Sequence, residues 1–234
     1  MNKLKTTICA ACTLVLASAG TISLADSSNF AGPYIGFQGF AAGAAVDGKA
    51  RETGSDGATQ VNTTDTVTAG KATFAAGVEA GYALPMGSMF LIDVGASYTS
   101  GEAKIAHETD DSLGSGNVTF KVDQFVTFYI APTMALSDTS SLYVKLGLSE
   151  ADIGVSGDIG TPGDLRGETW AIGTRTVLDS GIFIRTEAGY TEYNGISAHG
   201  LGGLVAGKDI IDPGTSFSAE PTVVHGNVSL GFRF

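Results

Sequence analysis

The fold class this chain predicts is all-β: an eight-stranded antiparallel up-and-down transmembrane β-barrel. Three observations lead there. Eight stretches alternate large apolar residues with small or polar ones, the connections between them are short and long by turns, and the composition suits strands. Of 234 residues, 33 are Gly, 12 Phe and 7 Tyr, and only 16% are charged. Glycine and aromatic residues with few charges favour many short strands over helices.

The chain opens on what reads as a removable export signal. Lys3 and Lys5 give a positive start, Ile8 to Leu16 is a short apolar run broken only by Thr13, and Ser23-Leu24-Ala25 offers small residues where a signal peptidase reads. Cleavage after Ala25 is expected, leaving 26–234 as one barrel domain. The rival, an uncleaved anchor, suffers from a short stretch rich in Ser and Thr with no positive flank after it. Lipidation of Cys12 would leave too few apolar residues before it for a signal core. Both cysteines, Cys9 and Cys12, leave with the signal, so no disulfide scaffold is available to the mature chain. Loss of Lys3 and Lys5 takes the formal charge from −11 to −13, with 24 acidic residues against the 11 basic ones that remain. Such acidity argues against nucleic acid as a partner.

No segment after Ala25 has the roughly 18 consecutive apolar residues of a membrane helix. Alternation takes its place. Tyr34 to Ala42 sets Ile35 and Phe37 against Tyr34, Gly36 and Gln38. Thr73 to Leu84 sets Phe74, Ala76, Val78, Ala80 and Tyr82 against Gly77, Glu79 and Gly81. Met89 to Ser100 sets Phe90, Ile92, Val94, Ala96 and Tyr98 against Asp93, Gly95, Ser97 and Thr99. Val118 to Leu136 sets Val126, Phe128, Ile130 and Met134 against Thr127, Tyr129 and Thr133.

The second half repeats the pattern. Leu142, Val144, Leu146 and Leu148 oppose Tyr143, Lys145, Gly147 and Ser149. Trp170, Ile172, Thr174 and Thr176 oppose Ala171, Gly173 and Arg175. Ile182, Ile184, Thr186, Ala188 and Tyr190 oppose Phe183, Arg185, Glu187, Gly189 and Thr191. From about Thr222, the last stretch runs to Val228, Leu230, Phe232 and Phe234.

"PMGS" (Pro85 to Ser88), "SDTS" (Ser137 to Ser140) and "DSG" (Asp179 to Gly181) read as hairpin turns. Between them lie long polar connections, Asp47 to Lys71, Glu102 to Asn117, Glu150 to Gly167 and Asn194 to Glu220. Short turns at one end and long loops at the other suit a membrane barrel. A soluble β-sandwich and a lipocalin-like barrel also alternate. Their water-facing surfaces would carry more charge than these Gly-, Ser- and Thr-rich faces do.

"GPYIGFQGF" (Gly32 to Phe40), "GVEAGY" (Gly77 to Tyr82), the loop parity and the terminal "LGFRF" resemble small outer-membrane barrels of the OmpA/OmpX and opacity-protein type. The resemblance covers nearly all of 26–234 through short, degenerate motifs. It implies short turns in the periplasm, long loops outside the cell, and a C-terminal assembly signal, here Phe234 helped by Phe232, read by the barrel-assembly machinery. It also implies partners in outer-membrane lipids and lipopolysaccharide.

With the apolar faces toward lipid, the opposite faces line the lumen. They carry Glu79, Asp93, Lys145, Arg175, Arg185, Glu187 and Arg233, together with Gln38, Tyr129 and His225. Eight strands enclose a space that side chains just fill, and confined charges of both signs should pair. A plugged or very narrow lumen is therefore expected, with Arg233 seeking a carboxylate. Lipid-facing aromatics should form two interface belts, Tyr82, Phe90 and Phe234 at one end and Phe74, Tyr98, Trp170 and Tyr190 at the other.

Catalysis, metal and cofactor are not expected. His225 and Ser229 share a face but stand about 13 Å apart along a strand. His107 and His199 fall in expected loops. "HETDDS" (His107 to Ser112) and "DIIDPG" (Asp209 to Gly214) lack calcium-loop spacing. "GLGGLVAG" (Gly200 to Gly207) lacks the Lys-Ser/Thr of a phosphate loop. The expected function is membrane support and surface interaction through the loops by a monomer. A narrow porin-like channel and a lipid-modifying enzyme are the alternatives.

Overall fold

The computed structural model describes residues 25–53, 60–63, 66–67, 73–108, 117–156, 164–199, 204–205, 208–209 and 216–234. Eight long strands follow one another: β1 (Gly32–Thr53), β2 (Thr73–Pro85), β3 (Phe90–Glu108), β4 (Asn117–Ala135), β5 (Ser140–Ser156), β6 (Leu165–Val177), β7 (Ile182–Tyr193) and β8 (Ser216–Arg233). Each pairs antiparallel with the next, and β8 pairs back onto β1 from Tyr34↔Arg233 to Arg51↔Ser216. The sheet is thus closed, with no free edge along its length.

The apolar alternation faces outward. Ile35, Phe37, Val78, Ile92, Phe128, Ile130, Leu148, Trp170 and Leu230 are exposed, while Gln38, Glu79, Asp93, Lys145, Arg175, Arg185, Glu187 and Ser229 are buried. In water that distribution would be inverted, since contiguous apolar surface of this extent is unstable there. In a bilayer it satisfies both sides, because a sheet closed on itself pairs its backbone groups strand to strand and presents no open edge to lipid.

The strands are longer than the alternation indicates. About 9–11 residues suffice to cross a bilayer, yet β1 has 22 and β3 and β4 have 19 each. Much of the expected long connections is therefore strand. Ala50 pairs with Phe217, His107 with Val118 and Phe120 with Val155. Short strands Gln60–Thr63 and Ile196–His199 add to the same ends of β1 and β8. His107 and His199 accordingly lie on strands, not loops. Apolar alternation stops where lipid stops, but a ladder needs only a partner strand and continues beyond it. Residues 1–24, most of "HETDDS" and "DIIDPG", and 200–203 and 206–207 of the Gly-rich run lie outside the described residues.

The glycines acquire a reason from the register. Tyr34 pairs with Gly81, Tyr129 with Gly95 on one side and Gly147 on the other, Tyr143 with Gly173, Tyr193 with Gly167, Phe183 with Gly231 and His225 with Gly189. A Cβ at Gly81 would sit 2.5 Å from the Tyr34 hydroxyl, and one at Gly95 2.7 Å from that of Tyr129. Large inward side chains therefore lie flat over neighbouring glycines, which is how a narrow lumen accommodates them.

Candidate functional site in the barrel interior

The inner face of β7 presents the layers of the interior in order, from the turn end: Phe183, Arg185, Glu187, Gly189, Thr191, Tyr193. At Phe183 the mouth is filled by a 3-10 turn, Ser27–Phe30, whose Phe30 is wholly buried among Tyr34, Ala83, Leu91, Ala135 and Phe183. Nothing in the alternation announces this turn, because it precedes the first strand.

At Arg185 four charges meet. The Arg185 guanidinium reaches Glu79 Oε2 at 3.0 Å and Asp93 Oδ2 at 2.7 Å; Arg175 also contacts Asp93 Oδ2 and donates to the Phe30 carbonyl at 3.3 Å. Three tyrosines close around them. Tyr34 and Tyr129 hydroxyls lie 2.9 Å apart, and the Arg185 guanidinium stands 5.0 Å from the Tyr34 ring and 4.8 Å from that of Tyr143. Ring faces carry partial negative charge, so they shield the cations where water cannot.

One layer further, Lys145 Nζ meets Glu187 Oε2 at 2.5 Å, Tyr143 donates to the same oxygen at 3.0 Å, and His225 Nε2 stands 3.8 Å from Glu187 Oε1. Beyond it a chain of hydroxyls, Thr127, Ser149, Thr169 and Thr191, crosses four strands at 2.7, 2.6 and 2.7 Å. Asn227 donates to Gln38, which donates to Thr99, both at 2.8 Å. An apolar collar of Phe40, Phe125, Leu165, Tyr193 and Val223 covers them. Between collar and salt bridges about 30 Å³ remains, room for one or two waters.

Six of the seven expected lumen charges thus converge, three carboxylates with three cations. Arg233 does not join them. Its guanidinium sits at the mouth and donates to the Ser28 carbonyl at 3.1 Å and the Ala31 carbonyl at 3.0 Å. As the last inward position of β8 it lies beyond reach of the lumen carboxylates, and the turn supplies acceptors closer by. Sequence reading named neither that turn, nor the tyrosine cage, nor the collar. The cage had a signal in the inward register of Tyr34 and Tyr143.

On the outer wall, Phe74, Tyr82, Phe90, Tyr98 and Trp170 are exposed, while Tyr190 is half-buried beside its ladder partner Trp170. Phe232 and Phe234 stack edge to face at 5.2 Å, and the Phe234 amide donates to the Pro33 carbonyl at 3.0 Å. His225 stacks on Phe40 at 5.2 Å, and Ser229 points to Asn227. Charge pairing and occlusion are what this interior can do.

A closed antiparallel barrel with an oily outside and a neutralised polar inside defines an integral outer-membrane protein. The chain belongs to the outer membrane protein beta-barrel domain family, whose model matches residues 12–208. Among solved structures it is similar to the outer membrane protein OprG from Pseudomonas aeruginosa, at 14% identity over 87% of this chain and 97% of that one, with a TM-score of 0.51. Ail, the attachment invasion locus protein of Yersinia pestis, matches at 11% identity over 84% and 99% with a TM-score of 0.34. The outer membrane protease OmpT of Escherichia coli matches at 9% over 86% and 97% with a TM-score of 0.39. No curated protein matches the chain in sequence.

Proposed function

We propose that this chain is a closed, non-enzymatic barrel that supports the outer membrane and meets its surroundings through the long connections opposite the tight turns. The observation that carries this reading is the bridge from Arg185 to Asp93. Strands β7 and β3 lie on opposite sides of the ring, so one guanidinium spans the whole lumen. A conduit would have to break that contact and its neighbours, each a buried pair that is costly to separate.

Export by the N-terminal signal, insertion by the barrel-assembly machinery through Phe232 and Phe234, and residence as a monomer among lipopolysaccharide belong to the same reading. The acidic connections would hold divalent cations between lipid phosphates or engage an extracellular partner. Purified protein in planar bilayers is expected to pass little or no current. Large, stable channels would overturn the closed-barrel reading in favour of a porin. Overexpression should leave the mass of lipid A unchanged; a changed mass would make the chain an enzyme.

A further inference from the structure

The turn at the mouth is tied to the barrel more densely than a connecting segment requires. Ser27 donates from its amide to the Ser88 carbonyl at 2.8 Å and from its hydroxyl to the Gly87 carbonyl at 2.5 Å. Asp26 Oδ1 accepts from the Ser28 amide at 2.9 Å, which caps the turn and holds this carboxyl below its ordinary range. Arg175 grips the Phe30 carbonyl, and Arg233 those of Ser28 and Ala31. The Asp26 amide nitrogen donates to Asp138 Oδ1, in the second tight turn, at 3.2 Å. Ala25 is buried against the same cluster as Phe30.

These contacts converge on the bond at which the signal is read to end. We propose that hydrolysis of the Ala25–Asp26 peptide bond creates a self-supplied cork: residues 26–31 seal the periplasmic mouth, with the freed amino group latched on Asp138. The proposal rests on the export reading above. In the hydrolysis, water adds to the Ala25 carbonyl carbon, the C–N bond breaks, and Ala25 leaves as the carboxylate of the signal. The Asp26 nitrogen departs as an amine that is mostly protonated at neutral pH, its ordinary pKa being about 7.7–8.0. A signal peptidase supplies the catalysis. A neutral amide donor thereby becomes an ammonium, and its bond to the Asp138 carboxylate becomes charge-assisted. Because Ala25 is buried when the turn is docked, cleavage comes first and docking follows. The docked cork then separates the Arg175–Asp93 contact from periplasmic water.

Intact mass of protein extracted from outer membranes should correspond to a chain beginning at Asp26. After cleavage the chain has no cysteine, so single variants report cleanly. Ser27→Cys, buried, should react with a membrane-impermeant maleimide on the order of 100-fold more slowly than Ser28→Cys, exposed, as expected for a site reached only by local opening. Asp138→Asn and Arg233→Ala should each speed the reaction of Ser27→Cys, the first by about two- to fivefold, as suits an exposed pair. Should Ser27→Cys fail to fold, amide exchange of residues 26–31 in the unaltered protein gives the same reading, with slow exchange expected at Ser27. A chain that retains Ala25 overturns the processing step whatever the labelling shows. Equal labelling of Ser27→Cys and Ser28→Cys, or fast exchange at Ser27, in a folded chain beginning at Asp26 overturns the cork and leaves the export reading standing.

Discussion

Asp93 holds Arg185 at 2.7 Å from the far wall of the barrel, and the same carboxylate oxygen also meets Arg175. One carboxylate is therefore shared by two guanidiniums, and Glu79 supplies the second negative charge that balances the quartet. Asp93→Asn should destabilise by about 3–5 kcal/mol, because it leaves Arg175 buried with no carboxylate and Arg185 with Glu79 alone. Glu79→Gln should cost less, since Arg185 keeps Asp93. Urea unfolding followed by the shift in gel mobility between unboiled and boiled samples measures both, and an equal or reversed order would contradict the shared role of Asp93.

Lys145 and Glu187 form a second, separable pair. Lys145→Met or Glu187→Gln alone leaves its partner buried without the opposite charge it now meets, whereas the double change removes both charges. The double variant should be less destabilised than the sum of the singles, with a coupling energy of about 0.5–3 kcal/mol in a double-mutant cycle. Additive costs would mean that the two act independently.

Gly95 lies beneath the Tyr129 ring with no space for a methyl group. Gly95→Ala should cost about 1–3 kcal/mol through overpacking. Gly43, where an added methyl group would meet no atom within 4 Å, should accept the same change nearly neutrally. Thermal unfolding of the two variants side by side makes the comparison.

The collar of Phe40 and Phe125 closes the hydroxyl chamber from the loop end. Ser149→Cys should be nearly inert to a membrane-impermeant maleimide, and become reactive when Phe40→Ala and Phe125→Ala are added. Conductance should stay low even then, because the salt bridges beneath are intact.

Phe234 is 74% exposed on the outer wall, where its side chain adds little to the folded ladder. Phe234→Ala should leave the unfolding of assembled barrels within about 0.5 kcal/mol of the unaltered chain. Its amount in the outer membrane should nonetheless fall, as measured by the unboiled folded band against total protein. Unchanged assembly would remove this residue from the insertion signal.

How much could be read from the chain alone follows from what each feature depends on. The eight strands, their faces and the inward set Glu79, Asp93, Lys145, Arg175, Arg185 and Glu187 were legible, because side-chain period two is a local property and lipid outside forces it to be clean. Strand lengths were not, since β1 and β8 go on pairing past Ala45 where no oily face marks them. Which charge meets which is a matter of closure. Asp93 and Arg175 are 82 residues apart and on unpaired strands, so only the circumference of the closed ring brings them together. Arg233 shows the other limit. Its inward face was readable, but its partners belong to a turn that no periodicity encodes. Likewise the glycine content pointed to strands, while the reason for each glycine, a ring lying over it from the next strand, exists only once register is set by ladder pairing around the barrel.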